Sequence, residues 1–149
     1  RASLADPRSP EILADLGASV VKVEDPGLGD YLRAFPPFTG SQGAVYSYLN
    51  RGKKGIVLDL KNPAGREVAR RLAAGSAVLV EGFRPGVMDG LGLGWSDLRP
   101  SNGRLVYCSI SGYGQRGPHA KQAGHDLTYV ALAGLLSLSQ GPGGAPAIP

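Results

Sequence analysis

His125 and Asp126 stand side by side in the segment AGHDLTYVAL, residues 123–132, where a loop is predicted to become a helix. Apolar spacing predicts that helix from about 127 to 138, with Asp126 as its N-cap and a core-facing side made of Leu127, Val130, Ala131, Gly134 and Leu135. A histidine at the helix start would feel the positive end of the dipole, which disfavours imidazolium and leaves a ring able to accept a proton. His125 is therefore a candidate general base, and the alternative is a polar residue that merely precedes a helix.

Several arginines and lysines could bind an anionic ligand. Arg51, Lys53 and Lys54 lie just before a predicted strand and could clamp the phosphates of a cofactor, although their spacing alone favours a solvated run of charges. Arg84, in the segment EGFRPGV, follows another predicted strand. It could bind a phosphate or a carboxylate there, or simply be an exposed turn residue.

The loop SGYGQRGP, residues 111–118, contains three glycines after a predicted strand. Its backbone amides could approach a ligand or stabilise an oxyanion, and an ordinary loop is the alternative, because neither nucleotide-binding glycine pattern is present. His119 lies in a polar loop and is expected at the surface. Two histidines and one cysteine do not supply a credible metal site, so no metal is expected.

Composition restricts the class of partner. The 16 Lys and Arg against 12 Asp and Glu give a net charge of +4, and these residues are scattered, which argues against a nucleic-acid partner. Cys108 is the single cysteine, so no internal disulfide can form and a reducing, cytoplasmic location is expected. No apolar run approaches the roughly 18 residues of a membrane span.

Four apolar runs are predicted to be strands, at residues 19–24, 55–60, 77–81 and 104–110. They largely lack polar alternation, which is typical of strands covered on both faces of a parallel sheet. Helical patterns alternate with them, one beginning at Ser9-Pro10 and ending near Gly17, another beginning at Asn62-Pro63 and ending at Gly75. The alternation predicts an α/β fold with a Rossmann-like, doubly wound, mostly parallel sheet.

Ligands bind beyond the carboxyl ends of the strands in such sheets. This rule selects four segments, at residues 24–26, 60–61, 82–85 and 111–114. The long segment 26–51 carries little secondary-structure signal and is expected to be a functional or mobile loop.

Four segments together resemble the class III CoA-transferase family (CaiB/BaiF type) and, within it, the α-methylacyl-CoA racemases. They are LADLGASVVKVEDPGLGD (13–30), LNRGKKGIVLDLKNPAGRE (49–67), VLVEGFRPGVMDGLGLGW (78–95), and RLVYCSISGYGQRGP with AGHDLTYVALAGLL (within 104–136). The resemblance implies that residues 1–149 are an incomplete CoA-binding Rossmann-like domain. It also implies that a small domain and the C-terminal part are absent, and that the full-length protein is an interlocked homodimer.

The resemblance also implies site residues. CoA would be part of the acyl-CoA substrate, so no separate cofactor is required. Its adenosine–phosphate end would be held by Leu58, Asp59, Leu60, Lys61, Gly82, Phe83 and Arg84. The thioester would be bordered by Gly124, His125, Asp126, Leu127, Thr128 and Tyr129, and Arg51 and Lys54 could contact the phosphates.

Two reactions follow from the resemblance. In racemases, a histidine matching His125 and an aspartate on the opposite face exchange the α-proton through an enolate. In transferases, the aspartate is a nucleophile and CoA passes between carboxylic acids through an acyl-anhydride and an enzyme thioester. The aspartate would fall beyond Pro149 in both cases. We therefore expect this chain alone to be inactive, and α-proton turnover by residues 1–149 in deuterated water would contradict that.

The chain also departs from the family pattern. Asp25 and Gly90 stand where the family commonly has basic residues near the CoA phosphates. The stretch before Ile12 lacks the apolar first strand that usually precedes this motif, so the sheet is expected to be incomplete. A degenerate CoA-binding or dimerisation module is therefore a third possibility, beside a racemase and a transferase.

Overall fold

The computed structural model describes residues 3–4, 8–139, 141 and 144–145. The chain divides into two compact units, Arg1–Ile110 and Ser111–Pro149. The first contains the parallel sheet, and the second contains the segment around His125.

The first unit alternates strands and helices. In chain order they are β1 (Ser3–Leu4), α1 (Arg8–Asp15), β2 (Val21–Glu24), a 3-10 helix (Tyr31–Ala34), β3 (Phe38–Thr39), β4 (Gln42–Gly43), α2 (Ala44–Leu49), β5 (Lys54–Val57), α3 (Pro63–Ala74), β6 (Val78–Glu81), α4 (Val87–Gly90), α5 (Trp95–Leu98) and β7 (Val106–Ser109). The five-stranded sheet has the order β5-β2-β1-β6-β7, and every pair in it is parallel. When the strands of this sheet are counted along the chain, the order is 3-2-1-4-5, which is the order of the first five strands of a Rossmann-type sheet and agrees with the predicted fold class.

The expectation that no first strand precedes Ile12 is wrong. Ser3–Leu4 lies at the centre of the sheet, where Ser3 is in register with Lys22 of β2 and with Val80 of β6. Backbone groups make the ladder, so two residues suffice to join the neighbouring strands. A search for apolar runs cannot detect a strand this short.

Coverage of the sheet differs between its inner and outer strands. Three of the four residues in both β2 and β6 are buried, which confirms the predicted covering of both faces there. The prediction is wrong for the outer strands, because Val57 in β5 and Val106 in β7 are each 60% exposed. The other face of these two outer strands packs on the hydrophobic core, which is formed by Val23, Ala69, Ala73, Leu79, Met88, Leu93, Leu98 and Leu105.

Two helix starts were predicted from caps, with different outcomes. Asn62 caps α3 through its Oδ1, which accepts a hydrogen bond from the Ala64 amide at 2.9 Å, and Gly75 ends the helix. The start predicted for α1 is wrong, since the helix begins at Arg8 and includes Ser9. Gly17, with φ +92°, lies just after its end as expected.

Residues 26–51 are more structured than predicted. They contain the 3-10 helix, the β3–β4 hairpin and α2. Asp30 caps the 3-10 helix by accepting a hydrogen bond from the Leu32 amide at 2.9 Å. These elements are too short to leave a periodic pattern in the sequence, because periodicity needs about three turns or four alternations to be visible.

The second unit contains α6 (Asp126–Leu132) and α7 (Leu135–Leu138), where one helix was predicted. Gly134 separates them with φ +78°, a left-handed conformation that ends a helix. The predicted core-facing side is also wrong. Within this unit Val130 is half-buried, whereas Leu127 and Leu135 are 46% and 51% exposed and Ala131 and Gly134 are exposed.

None of the helices in the described part of the chain is both long enough and apolar enough to cross a membrane.

The Asn62 cap gives a direct test of the α3 assignment. Asn62→Ala should lower the free energy of unfolding by about 1 kcal/mol, the usual effect of removing a side-chain cap. Urea denaturation measures the change. Asn62→Asp keeps an acceptor oxygen and should retain most of the stability, so equal losses in both variants would contradict the capping role.

Candidate functional site

A cavity of about 240 Å³ lies at the carboxyl ends of β2, β5 and β6. Its lining consists of Val23, Glu24, Asp25, Leu58, Asp59, Leu60, Lys61, Phe83, Val87 and Leu91. Three of the four predicted ligand-edge segments therefore contribute to one cavity. Five predicted cofactor-binding residues line it, namely Leu58, Asp59, Leu60, Lys61 and Phe83.

The loop after β5 is held by hydrogen bonds between side chains and its backbone. Asp59 Oδ1 accepts a hydrogen bond from the Lys61 amide at 2.9 Å, and Arg66 Nη1 donates to the Lys61 carbonyl at 2.8 Å. Gly65, in the first turn of α3, lies so close that an added Cβ would overlap the Asp59 carbonyl oxygen. Residue 65 must therefore be glycine for the Asp59–Lys61 wall of the cavity to keep this position.

A buried carboxylate holds the loop after β6. Glu81 is 3% exposed, and its Oε2 accepts a hydrogen bond from the Phe83 amide at 2.8 Å. This bond fixes the backbone that carries the Phe83 ring into the cavity wall. Gly82 and Arg84 flank Phe83 and are exposed, and neither lines the cavity.

The other predicted phosphate ligands lie elsewhere in the first unit. Arg51 forms ion pairs with Glu11 and Asp15 of α1, and its guanidinium stacks on the Tyr48 ring at 4.4 Å. The hydrogen bond to Asp15 raises the pKa of Arg51. Lys54 is an exposed residue at the start of β5, the end of the strand opposite to the cavity. A phosphate role for either residue stays a prediction, and Arg51 would have to exchange its carboxylate partners.

Glu24 is the centre of a charged cluster at the end of β2. Its side chain is 7% exposed and accepts hydrogen bonds from Arg33 Nε at 3.0 Å, Arg33 Nη2 at 3.2 Å and the Tyr46 hydroxyl at 3.0 Å. Lys22 Nζ lies 3.4 Å from the same carboxylate and also pairs with Asp30. The Arg33 guanidinium packs over the Tyr46 ring at 4.0 Å. This cluster fastens the 3-10 helix and α2 to the strand end beside the cavity.

Electrostatics of the cluster favour the ionised Glu24. Burial raises the pKa of the Glu24 carboxyl, but hydrogen bonds from Arg33 and Tyr46 and the charges of Lys22 and Arg33 outweigh it and lower the pKa from 4.5 to about 2. Burial, together with the hydrogen bond to Glu24, raises the pKa of Tyr46 to about 12. The cluster is therefore a set of matched charges across the ordinary pH range.

The second unit holds His125 at the start of α6. His125 occupies the N-cap position with an extended backbone, and its carbonyl accepts hydrogen bonds from the Thr128 amide at 2.9 Å and the Tyr129 amide at 3.1 Å. Asp126, predicted to be the cap, is instead the first helical residue, where its charge suits the helix N-terminus. The cap therefore lies one residue earlier than predicted, and the exposed His125 side chain makes no capping hydrogen bond.

Within the second unit, Tyr129 contacts two loops, at residues 111–114 and 123–125, and so positions the backbone before His125. Its hydroxyl donates to the Gly124 carbonyl at 3.1 Å, and its ring lies 5.3 Å from the Tyr113 ring. An added Cβ at Gly124 would lie 2.6 Å from the Tyr129 ring, and one at Gly112 would overlap its hydroxyl. The glycines of the loops 111–114 and 123–125 thus make room for one aromatic ring, which positions the residue preceding His125.

His119 is exposed, as predicted, and its Nδ1 lies 2.9 Å from Gln122 Oε1. Residues 111–118 contain no helix or strand and are a loop, as predicted.

The sequence did not lead us to predict a role for the individual residues Glu24 and Glu81. Each is the last residue of a buried strand, in VKVE and VLVE. A carboxylate ending an otherwise apolar strand, found twice, is the signal that would have identified them, since a buried charge needs partners nearby.

Residues 2–149 match the family described as CoA-transferase family III. Succinyl-CoA:glutarate CoA-transferase from Homo sapiens is 42% identical over 147 residues, which cover 98% of this chain and 34% of that protein. Alpha-methylacyl-CoA racemase from Homo sapiens is 48% identical over 126 residues, or 85% of this chain and 29% of that protein. The crystal structure of a CAIB/BAIF family protein from Brucella suis matches with a TM-score of 0.91 and 36% identity, over 99% of this chain and 41% of that one. The chain spans about a third of the length of these curated relatives.

Glu24→Gln tests the charged cluster. A carboxyl whose folded pKa is lowered to about 2 contributes stability above its unfolded value of 4.5, and that contribution disappears as the pH falls from about 4.5 towards about 2. The variant should lose about 3 kcal/mol of unfolding free energy at neutral pH, because the buried Lys22 and the half-buried Arg33 lose their shared anion.

Urea denaturation at several pH values measures both effects, and the pH dependence in that window should flatten in Glu24→Gln. Glu67→Gln is the matched control, since Glu67 is 54% exposed and pairs only across the surface of α3. The control should lose less than about 1 kcal/mol. Equal losses in the two variants would contradict the role given to Glu24.

Proposed function

Because the chain belongs to the CoA-transferase family III, we propose that it is part of an enzyme that racemises 2-methylacyl-CoA thioesters. The observation that carries the proposal is the exposed imidazole of His125 at the start of α6, on backbone that Tyr129 positions. Inverting a carbon next to a thioester carbonyl requires a base on one face and an acid on the other. His125 supplies one of the two proton carriers.

The reaction balances as two proton transfers. A base removes the α-proton, the electron pair moves into the carbonyl to form an enolate, and a proton returns to the α-carbon on the opposite face. Positioned acid–base groups typically contribute 10²–10⁴-fold each to such a step. His125 accepts the proton from one enantiomer and donates it when the other enantiomer reacts. Backbone amides near the start of α6 are candidates for stabilising the enolate oxygen.

The cavity of the first unit suits the nucleotide end of the substrate. Apolar side chains, including Leu58, Leu60 and Phe83, form most of its wall, which favours a flat aromatic ring. Lys61 adds a positive charge on the lining. We assign the adenosine part of CoA to this cavity.

Transfer of CoA between carboxylic acids is the second candidate. It is favoured by the match to succinyl-CoA:glutarate CoA-transferase, which extends over more of this chain than the match to the racemase. That reaction uses a carboxylate nucleophile, and it has no step that requires an imidazole at His125. The role of His125 therefore distinguishes the two candidates.

His125→Ala in the full-length protein tests the proposal. The α-proton exchange of a 2-methylacyl-CoA in deuterated water, followed by NMR, should fall by at least about 100-fold, the contribution expected of a positioned base. The affinity for acetyl-CoA, measured by calorimetry, should be unchanged, because the role proposed for the imidazole is proton transfer and not binding of the nucleotide.

His119→Ala is the matched control, since it removes another exposed histidine of the same unit and should leave the exchange intact. Full exchange by His125→Ala would refute the proton-carrier role. Transfer of CoA to an added carboxylic acid, without α-proton exchange in the wild type, would establish the second candidate instead.

A further inference from the structure

We infer that Tyr129 is a positioning residue for proton transfer by His125, and that it acts through the backbone on both sides of the histidine rather than by touching the substrate. This inference rests on the proposed racemase function. It deepens that function by naming the residue that sets the direction of the imidazole.

The imidazole of His125 depends on its backbone for orientation. The exposed ring makes no hydrogen bond to any of residues 8–139. The residue before it is Gly124, and glycine has the widest backbone freedom of all residues. A proton carrier has to be held within about 0.5 Å of its productive position. Contacts to the backbone around His125 must therefore remove the freedom that Gly124 introduces.

Tyr129 binds both of the peptide groups that meet at the His125 Cα. Its hydroxyl donates to the Gly124 carbonyl at 3.1 Å, and its amide donates to the His125 carbonyl at 3.1 Å, beside the Thr128 amide at 2.9 Å. Because a peptide group is planar, a hydrogen bond that holds its carbonyl oxygen holds the whole plane. Two held planes fix the direction in which the side chain of His125 leaves the backbone.

The hydroxyl of Tyr129 is held in place by two glycines. An added Cβ at Gly112 would overlap this hydroxyl, and one at Gly124 would lie 2.6 Å from the ring. The hydroxyl therefore reaches the Gly124 carbonyl only while Gly112 has no side chain. In this way the loop 111–114 contributes to the position of His125 without supplying a reacting group.

The hydrogen bond to Gly124 also separates Tyr129 from groups that act on the ligand. A tyrosine hydroxyl has one proton to donate, and here that proton goes to a backbone carbonyl. The hydroxyl is thus engaged and does not serve as a donor to the enolate. Its contribution belongs to the rate of proton transfer and not to the binding of the substrate.

Tyr129→Phe in the full-length protein tests the inference, because it removes the hydroxyl and keeps the ring. The kcat of α-proton exchange on a 2-methylacyl-CoA should fall about tenfold. This is less than the roughly 100-fold cost of a 1 Å misplacement, because the amide of residue 129 still holds the His125 carbonyl. KM should be unchanged, as expected when the lost interaction acts only in the transition state. Hydrogen exchange of the peptide covering residues 123–132, measured by mass spectrometry, should become faster.

Gly112→Ala disturbs the same hydroxyl from the other loop and leaves Tyr129 in place. It should also lower kcat without changing KM. The double variant should lose less than the two single losses combined, since both substitutions act on one hydrogen bond. Ser137→Ala is the matched control. It removes another hydrogen bond from a hydroxyl to a glycine carbonyl in the same unit, from Ser137 Oγ to Gly134 at 2.6 Å, and should leave kcat and KM unchanged.

The outcomes separate the inference from the proposed function. Unchanged kcat in Tyr129→Phe, beside normal exchange in the wild type, would overturn the positioning role alone. A raised KM with unchanged kcat would overturn it as well, because the hydroxyl would then bind substrate. Equal losses in Tyr129→Phe and Ser137→Ala would contradict a role specific to His125. Absence of α-proton exchange in the wild type would refute the proposed function, and the inference with it.

Discussion

The ion cluster around Glu24 is the interaction on which the cavity edge of this sheet depends. A carboxylate that is 7% exposed is unfavourable unless it is paired and hydrogen-bonded, and Arg33, Tyr46 and Lys22 meet that requirement together. Two of these partners come from the 3-10 helix and α2. The need to satisfy one buried charge therefore fastens a segment whose large apolar side chains, such as Leu28, Tyr31 and Phe38, are mostly exposed.

Glu81, on the other side of the central strand, is likewise a buried carboxylate that accepts a hydrogen bond. Its carboxylate receives one backbone amide, from Phe83, and thereby fixes a turn rather than a whole segment. The two strands that flank β1 thus both end in a carboxylate whose hydrogen-bond donors follow it in sequence. The cavity between the resulting loops has a mostly apolar lining, and polar contacts hold the loops that form it.

How far the sequence predicts this structure depends on the length over which each feature is encoded. The four longer strands and α3 with its Asn62 cap were predicted, because each rests on several residues of consistent pattern. The strand-end segments selected as candidate ligand sites include three that line one cavity, and their ligand role stays a prediction. β1 was missed because Ser3–Leu4 is shorter than any periodic signal. The division of the last helix at Gly134 was missed because a single glycine within apolar spacing is compatible with a continuous helix.

Features that depend on contacts distant in sequence were the least predictable. The partners of Glu24 and the engagement of Arg51 with α1 join residues that no local rule connects. His125 illustrates a finer limit. Its position at the start of a helix was predicted, but the assignment of the cap to His125 or Asp126 depended on backbone dihedral angles. The residue identities set the chemistry of the site, and the tertiary contacts set which groups remain available for it.

The Glu24 cluster also constrains how related sequences can diverge. A substitution at Glu24 leaves Arg33 and Lys22 without their shared anion, and a substitution at Tyr46 removes both a donor to the carboxylate and the ring on which Arg33 packs. Single changes are therefore costly, while paired changes that restore charge and contact are tolerable. Across homologues, these positions should vary together or not at all, which makes the cluster a unit of coevolution rather than a set of separate residues.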